Sequence, residues 1–254
     1  MQRLLAPALQ AELNDARQLL AEIRDGLARF GAVETDQEAL RASILQLDEL
    51  FLLVVVGEFN AGKSAFINAL AGQRVLQEGV TPTTARIHVL KYGETVMTHE
   101  QRGLQVVTAP ADLLRDVHIV DTPGTNAIIR EHERLTTEFV PRADLVLFVT
   151  SADRPFTETE RGFLEAIRGW GKKIVIVVNK IDIFEHQDEL VEVVTFVRSA
   201  AQRLLGISPE VFPVSARQAL RAKQGDPALW AMSRFEPLEQ FIATTLDEGS
   251  RFRL

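Results

Sequence analysis

The sequence contains no cysteine, which excludes disulfides and thiolate-ligated metals and fits a reducing compartment. It has no apolar run near the ~20 residues that a membrane-spanning helix needs. The opening residues place Glu12 and Asp15 where a secretory leader would carry its apolar core, so no signal peptide is expected. Basic charge is short as well. Lys and Arg total 28 against 35 Asp and Glu, a net charge of −7, so no general affinity for nucleic acid is expected. Nor does the chain hold a KH-like Gly-x-x-Gly module or an internal repeat. These shortages predict a cytoplasmic protein, one that could meet a membrane only from outside or through a part not present in this chain. What is present is ordinary for a globular chain of 254 residues: 46% hydrophobic and 25% charged, enough for one large domain with helical extensions.

Residues 57–64 read Gly-Glu-Phe-Asn-Ala-Gly-Lys-Ser. An apolar run over 51–56 precedes them, with the length of a buried parallel strand, and helical spacing follows over 65–70. Strand, Gly-rich loop and helix form the context of a phosphate-binding loop. Gly57 and Gly62 let the backbone wrap closely, so that amides from Asn60, Ala61, Gly62, Lys63, Ser64 and Ala65 can point inward at a polyphosphate. The helix N-terminus adds partial positive charge. Lys63 would reach the β- and γ-phosphates, and the Ser64 hydroxyl would sit on Mg²⁺.

Around this loop the pattern is helical first and then alternating. Leu9, Leu13, Ala16, Leu20, Ile23, Leu27 and Phe30 recur every three or four residues, predicting a helix that ends near Gly31. A second helix is expected from Asp36 as N-cap. Both readings of these segments stay open: a cap on the domain's own core, or half of a neck. Strands are expected over 86–92, 95–99, 104–108, 117–120, 145–149, 174–178 and 211–214. Helices are expected over 157–168, 188–205, 217–222 and 237–246. That order predicts an α/β fold, a mostly parallel sheet with helices on both faces and ligands at the carboxyl ends of its strands.

Asn179-Lys180-Ile181-Asp182 follows a buried-strand pattern and points to the base. The Asp182 carboxylate can accept from both N1–H and N2–H₂ of guanine, whereas adenine would leave that charge unpaired. Asn179 would bond the base and tie the loops together, and the Lys180 stem would lie along the base. Ser215 and Ala216 follow another short strand, and the Ala216 amide would meet the guanine O6. The nucleotide expected is therefore GTP, with GDP as product. Asp121-Thr122-Pro123-Gly124 would sense the γ-phosphate. Asp121 would hold Mg²⁺ through water and the Gly124 amide would touch the phosphate. In the Thr cluster at 81–84, Thr84 is the favoured Mg²⁺-side residue and Thr83 the second choice.

These motifs resemble the translation-factor-like GTPases with the P-loop GTPase fold. Within that class the chain is similar to the dynamin-like GTPases, especially the bacterial, mitofusin and chloroplast groups. The resemblance runs from about Leu50 to Ala222. It implies a GTPase domain over 50–232, a neck-like helical segment over 1–49 and a C-terminal helix over 233–254 leading to a stalk. It also implies Mg²⁺-dependent GTP hydrolysis, homodimerisation through the GTPase face and membrane remodelling by the stalk. The implied catalytic set is Lys63, Ser64, Thr84, Asn60 and Gly124.

The chain departs from that pattern at Phe59, where the group often carries Gln or Ser, and no Gln follows Gly124. Asn60 stands where related potassium-dependent GTPases place a K⁺ ligand, so a K⁺ ion countering phosphoryl charge is expected. Two rivals remain. One is a ribosome- or tRNA-associated GTPase similar to the Era and MnmE groups, and the other is a slow-hydrolysing, nucleotide-gated scaffold. His88, His99, His118 and His132 lack metal-ligand spacing and are read as structural or surface residues, Trp170 and Trp230 as packing. Arg130, Glu131 and Arg134 are read as solvated charges or dimer-face residues.

Overall fold

A computed structural model describes residues 7–30, 51–79, 87–101, 103–122 and 139–251. The helix expected from Asp36, the Thr83 and Thr84 cluster and the segment holding Gly124, Arg130, Glu131, His132 and Arg134 lie outside the described residues.

Helix α1 (Pro7–Arg29) precedes strand β1 (Leu52–Val56) and helix α2 (Lys63–Ala71). Strands β2 (His88–Tyr92), β3 (Met97–Gln101), β4 (Leu104–Ala109) and β5 (His118–Asp121) come next. Then β6 (Leu145–Ser151), α3 (Glu158–Ile167), β7 (Ile174–Asn179), α4 (Gln187–Leu205) and β8 (Glu210–Pro213) alternate. Helices α5 (Ala216–Lys223), α6 (Leu229–Ser233) and α7 (Phe235–Arg251) close the described chain.

All eight strands form one sheet in the order β3-β4-β2-β5-β1-β6-β7-β8. Strands β5, β1, β6, β7 and β8 are parallel neighbours, so their carboxyl ends share one edge. Strand β2 runs antiparallel to β5, which sets His88, at the start of β2, opposite Asp121, at the end of β5. Strands β3 and β4 pair antiparallel, and β4 rather than β3 lies against β2, in parallel. The β3 boundary also differs from the expected 95–99. The strand is exposed along its whole length, so it carries no buried alternation to mark its ends.

The core follows from the two-residue period of the strands. Leu53 and Val55 of β1 face α2, α5 and α7 through Phe66, Ile67, Leu70, Ala219 and Leu220. Leu52, Val54 and Val56 face α3 and α4 through Leu164, Ile167, Val194 and Val197. The central parallel strands are thus covered on both faces, which their nearly continuous Val/Ile/Leu sequences require. Phe235, Leu238 and Ile242 of α7 are fully buried in the same core as α2, which anchors the start of α7 beneath the phosphate-loop helix.

Candidate functional site

The phosphate-loop residues turn directly out of β1. Gly57 adopts φ 149°, and a Cβ there would lie 2.0 Å from the Val149 carbonyl oxygen of β6, so only glycine fits. Asn60, exposed, holds a left-handed φ of 66°. The Ala61 amide donates to the Glu58 carbonyl at 3.2 Å, closing the turn. Gly62, φ 88°, occupies the N-cap of α2 with no side-chain cap, so its end remains lined by backbone amides. The Ser64 side chain lies in this first turn, half-buried.

Lys63 folds back over the loop. Its Nζ donates to the Gly57 and Glu58 carbonyls, each at 3.0 Å. Burial holds the ammonium below its usual pKa range, and the nearby carboxylates of Asp121, Glu160 and Glu58 oppose that shift. A cation held by two neutral carbonyls inside a loop is placed to exchange them for an anion.

Asp121 ends β5 beside this loop. Both its carboxylate oxygens are buried and have no hydrogen-bond partner among the described residues. Its Oδ2 lies 3.8 Å from His88 Nδ1, while His88 Nε2 pairs with Gln105 Oε1 at 2.8 Å. Next to it, the Thr122 hydroxyl donates to the Val55 carbonyl at 3.0 Å and fixes this strand end to β1. Orphaned carboxylate oxygens near a hydroxyl-bearing loop fit Mg²⁺, which takes hard oxygen ligands and keeps several waters. No group of three or more His, Asp or Glu residues able to cage a metal exists among the described residues.

On the base side, Asn179 acts as a clasp. Its Nδ2 donates to the Ala61 carbonyl at 3.1 Å and, more weakly, to the Gly62 carbonyl at 3.4 Å. Its Oδ1 accepts the Ala216 amide at 3.1 Å. The loop-tying half of the expectation for Asn179 is therefore visible, while its polar atoms and the Ala216 amide all meet protein groups. Lys180, at φ 67°, reaches back so that its Cε lies near Gly62, and its Nζ approaches Asp153 at 4.0 Å. The Asp182 carboxylate accepts the Ser215 hydroxyl at 2.6 Å on Oδ1 and Arg217 at 2.5 Å on Oδ2. Ser215, fully buried, also caps α5 by accepting the Gln218 amide.

A third set of contacts joins the phosphate loop to α3. Thr157 Oγ1 donates to Glu58 Oε2 at 2.8 Å. Thr157 also caps α3 in a capping box with Glu160. Glu160 Oε2 accepts from Thr150 Oγ1 at 2.8 Å. Burial, joined by the charge of Glu58, pushes the Glu160 carboxyl up to about 6 against the hydrogen bonds from Thr150 and Thr157. Sequence reasoning missed this network, although Thr157-x-x-Glu160 is a capping-box signature. It missed Arg217 altogether.

The fold thus gathers Gly57, Asn60, Ala61, Gly62, Lys63, Ser64, Ala65, Asp121, Asn179, Lys180, Asp182, Ser215 and Ala216 along one sheet edge. Thr84 and Gly124 lie outside the described residues.

Residues 52–180 match a family model described as 50S ribosome-binding GTPase. The chain is 40% identical to a probable transmembrane GTPase, FZO-like and chloroplastic, of Arabidopsis thaliana, over 94% of this chain and 29% of that protein. It is 30% identical to a bacterial dynamin-like protein of Nostoc punctiforme, over 59% of this chain and 28% of that protein. In three dimensions it resembles a chain of an oligomerised bacterial dynamin pair, described as sensing and tethering membranes. The TM-score is 0.68 at 18% identity, over 96% of this chain and 44% of that one. The chain spans less than half the length of each of these three proteins. No helix among the described residues is long and apolar enough to cross a membrane.

Proposed function

This chain belongs to the GTPase family it matches, with the P-loop GTPase fold and dynamin-like relatives, and on that premise we propose that it binds and hydrolyses GTP to drive a membrane-remodelling protein. The observation that carries the proposal is the Asn179 clasp, which joins the loop at Ala61 and Gly62 to Ala216. A single ligand with a polyphosphate at one end and a base at the other fits across such a joint.

In this reading the amides of Gly57 and Asn60 to Ala65 cradle the polyphosphate, and Lys63 leaves its two loop carbonyls for phosphate oxygens. Ser64, Asp121 and Thr84 would hold Mg²⁺, which when bound neutralises charge on the β- and γ-phosphates. The Gly124 amide reads the γ-phosphate. Asp182 and Ser215 read guanine, with Lys180 along the base and Ala216 at the rim. Phe59 cannot orient water. The exposed Asn60 is proposed to hold K⁺, which would serve where an arginine finger acts in other GTPases.

Homodimerisation through the nucleotide face, and membrane attachment through protein beyond this chain, are proposed from the dynamin-like relatives. The segments over 1–49 and 233–254, which include α1 and α7, are proposed as the links to that remainder.

The test is GTP turnover per molecule at rising protein concentration in KCl and in NaCl. A rate that climbs with concentration and is faster in KCl is expected. A flat rate near zero would favour a nucleotide-gated scaffold, and equal rates in both salts, with the dimer confirmed, would remove the K⁺ role. The ribosome-binding description of the matched model favours a second reading, an Era-like ribosome-associated GTPase. Co-sedimentation of the full-length protein with liposomes, against ribosomes, separates the two.

A further inference from the structure

Arg217 was not singled out by any motif, yet it makes one of the shortest charged contacts of the site. Ser215 caps α5, so residue 217 emerges one residue past the Ala216 amide that Asn179 holds. From there the guanidinium donates to Asp182 Oδ2 at 2.5 Å while the Ser215 hydroxyl donates to Oδ1 at 2.6 Å. The environments of the two charges differ sharply. The Asp182 side chain is only 7% exposed, and the Arg217 side chain is 74% exposed.

An ionised carboxylate offers about four lone-pair sites, two on each oxygen. Ser215 takes one on Oδ1 and Arg217 takes one on Oδ2. One acceptor site remains on each oxygen, and the carboxylate plane is pinned from both sides. Two parallel acceptors on a fixed plane match one pair of donors, the N1–H and N2–H₂ of a guanine edge. A carboxylate held only by Ser215 could swivel about its Cβ–Cγ bond and adapt to a base that presents a single donor.

We propose that Arg217 is a specificity-determining positioning residue: with Ser215 it pins the Asp182 carboxylate as a two-point acceptor that selects guanine over bases lacking its 2-amino group. The proposal rests on the guanine-binding reading above and adds a residue and a discrimination to it. Arg217 acts through Asp182 and need not touch the base.

The experiment is calorimetric binding of GDP, IDP and ADP, each with Mg²⁺, to this chain and to its Arg217→Ala and Arg217→Lys variants. IDP carries hypoxanthine, which keeps N1–H and lacks the exocyclic amine. The unchanged chain is expected to prefer GDP over IDP, and both over ADP. Arg217→Ala is expected to raise the GDP Kd by up to about fivefold, the scale of a contact with a mostly exposed partner, and to shrink the ratio of IDP to GDP Kd. Arg217→Lys should restore part of that ratio, and an unchanged melting temperature should show that the alanine variant folds. An unchanged ratio in Arg217→Ala, or tighter GDP binding, would overturn the proposal while leaving the GTPase reading intact. Equal binding of ADP and GDP by the unchanged chain would overturn both.

Discussion

Asn179 Nδ2 donates to the Ala61 carbonyl at 3.1 Å, across 118 residues of sequence. The same side chain accepts the Ala216 amide, so one amide sets the spacing between the two halves of the site. Asn179→Ala would strand a buried N–H and a buried carbonyl, at about 1–3 kcal/mol for each group left unsatisfied. Denaturant midpoints should fall accordingly, and GDP affinity should drop by about tenfold or more. An unchanged GDP affinity in a folded variant would remove the clasp from the account.

Gly57 and Gly162 should respond to alanine in opposite directions. A Cβ at Gly57 meets the Val149 carbonyl at 2.0 Å, and the strands just before them are paired up to Val56 and Phe148 and cannot part cheaply. Gly57→Ala should unfold the chain or abolish nucleotide binding. Gly162 is exposed within α3, with nothing within 4 Å of an added Cβ. Gly162→Ala should stabilise by roughly 0.5–1 kcal/mol through helix propensity. Thermal melts of the two variants check both.

Asn68 organises the turn that leads away from α2. Fully buried, its Oδ1 accepts the Val75 and Leu76 amides, each at 2.9 Å, and its Nδ2 donates to the Leu76 carbonyl and Glu78. Asn68→Ala should cost several kcal/mol, on the order of 1–3 for each stranded group. In hydrogen exchange, the Val75 and Leu76 amides should lose protection before the strands do. Protection equal to that of the unchanged chain would contradict this role.

Two groups set opposite responses to acid. Burial, helped by Lys91, pushes the His118 imidazole down to about 4. Its folded pKa is therefore below the unfolded value of ~6.5, so the unfolded chain gains the proton first and stability is lost as pH falls from 6.5 toward 4. Glu160 runs the other way. Its folded value of about 6 exceeds the unfolded ~4.3, so its contribution is present at low pH and lost as pH rises through 6. The limits are about 3 kcal/mol for His118 and about 2 kcal/mol for Glu160. Urea midpoints between pH 4.5 and 7 should fall less steeply with acid in His118→Gln and more steeply in Glu160→Gln. Identical slopes in all three proteins would refute the assignment.

What the sequence disclosed was local. The six apolar residues over 51–56, the two glycines and Lys63 lie within one short stretch, and strand, turn and helix are forced there by pattern alone. Strand β7 was legible to within one residue for the same reason, since a buried parallel strand reads as an unbroken apolar run. Distant pairings were not legible. Nothing near Glu58 announces Thr157, and nothing near Asp182 announces Arg217, because each contact exists only once the sheet order is set. The placement of β4 against β2 escaped notice because the exposed β3 carries no alternation to reveal which neighbour it lacks.

The central claim is that Asp182 reads guanine, and Asp182→Asn tests it most directly. The asparagine can turn an amide donor toward the base, which suits the C2 carbonyl of xanthine and not the amine of guanine. Binding of GDP and XDP to both proteins is the measurement. The account predicts GDP preference in the unchanged chain and, in Asp182→Asn, GDP binding weakened by about a hundredfold or more with XDP preferred. GDP bound equally well by both proteins would contradict it.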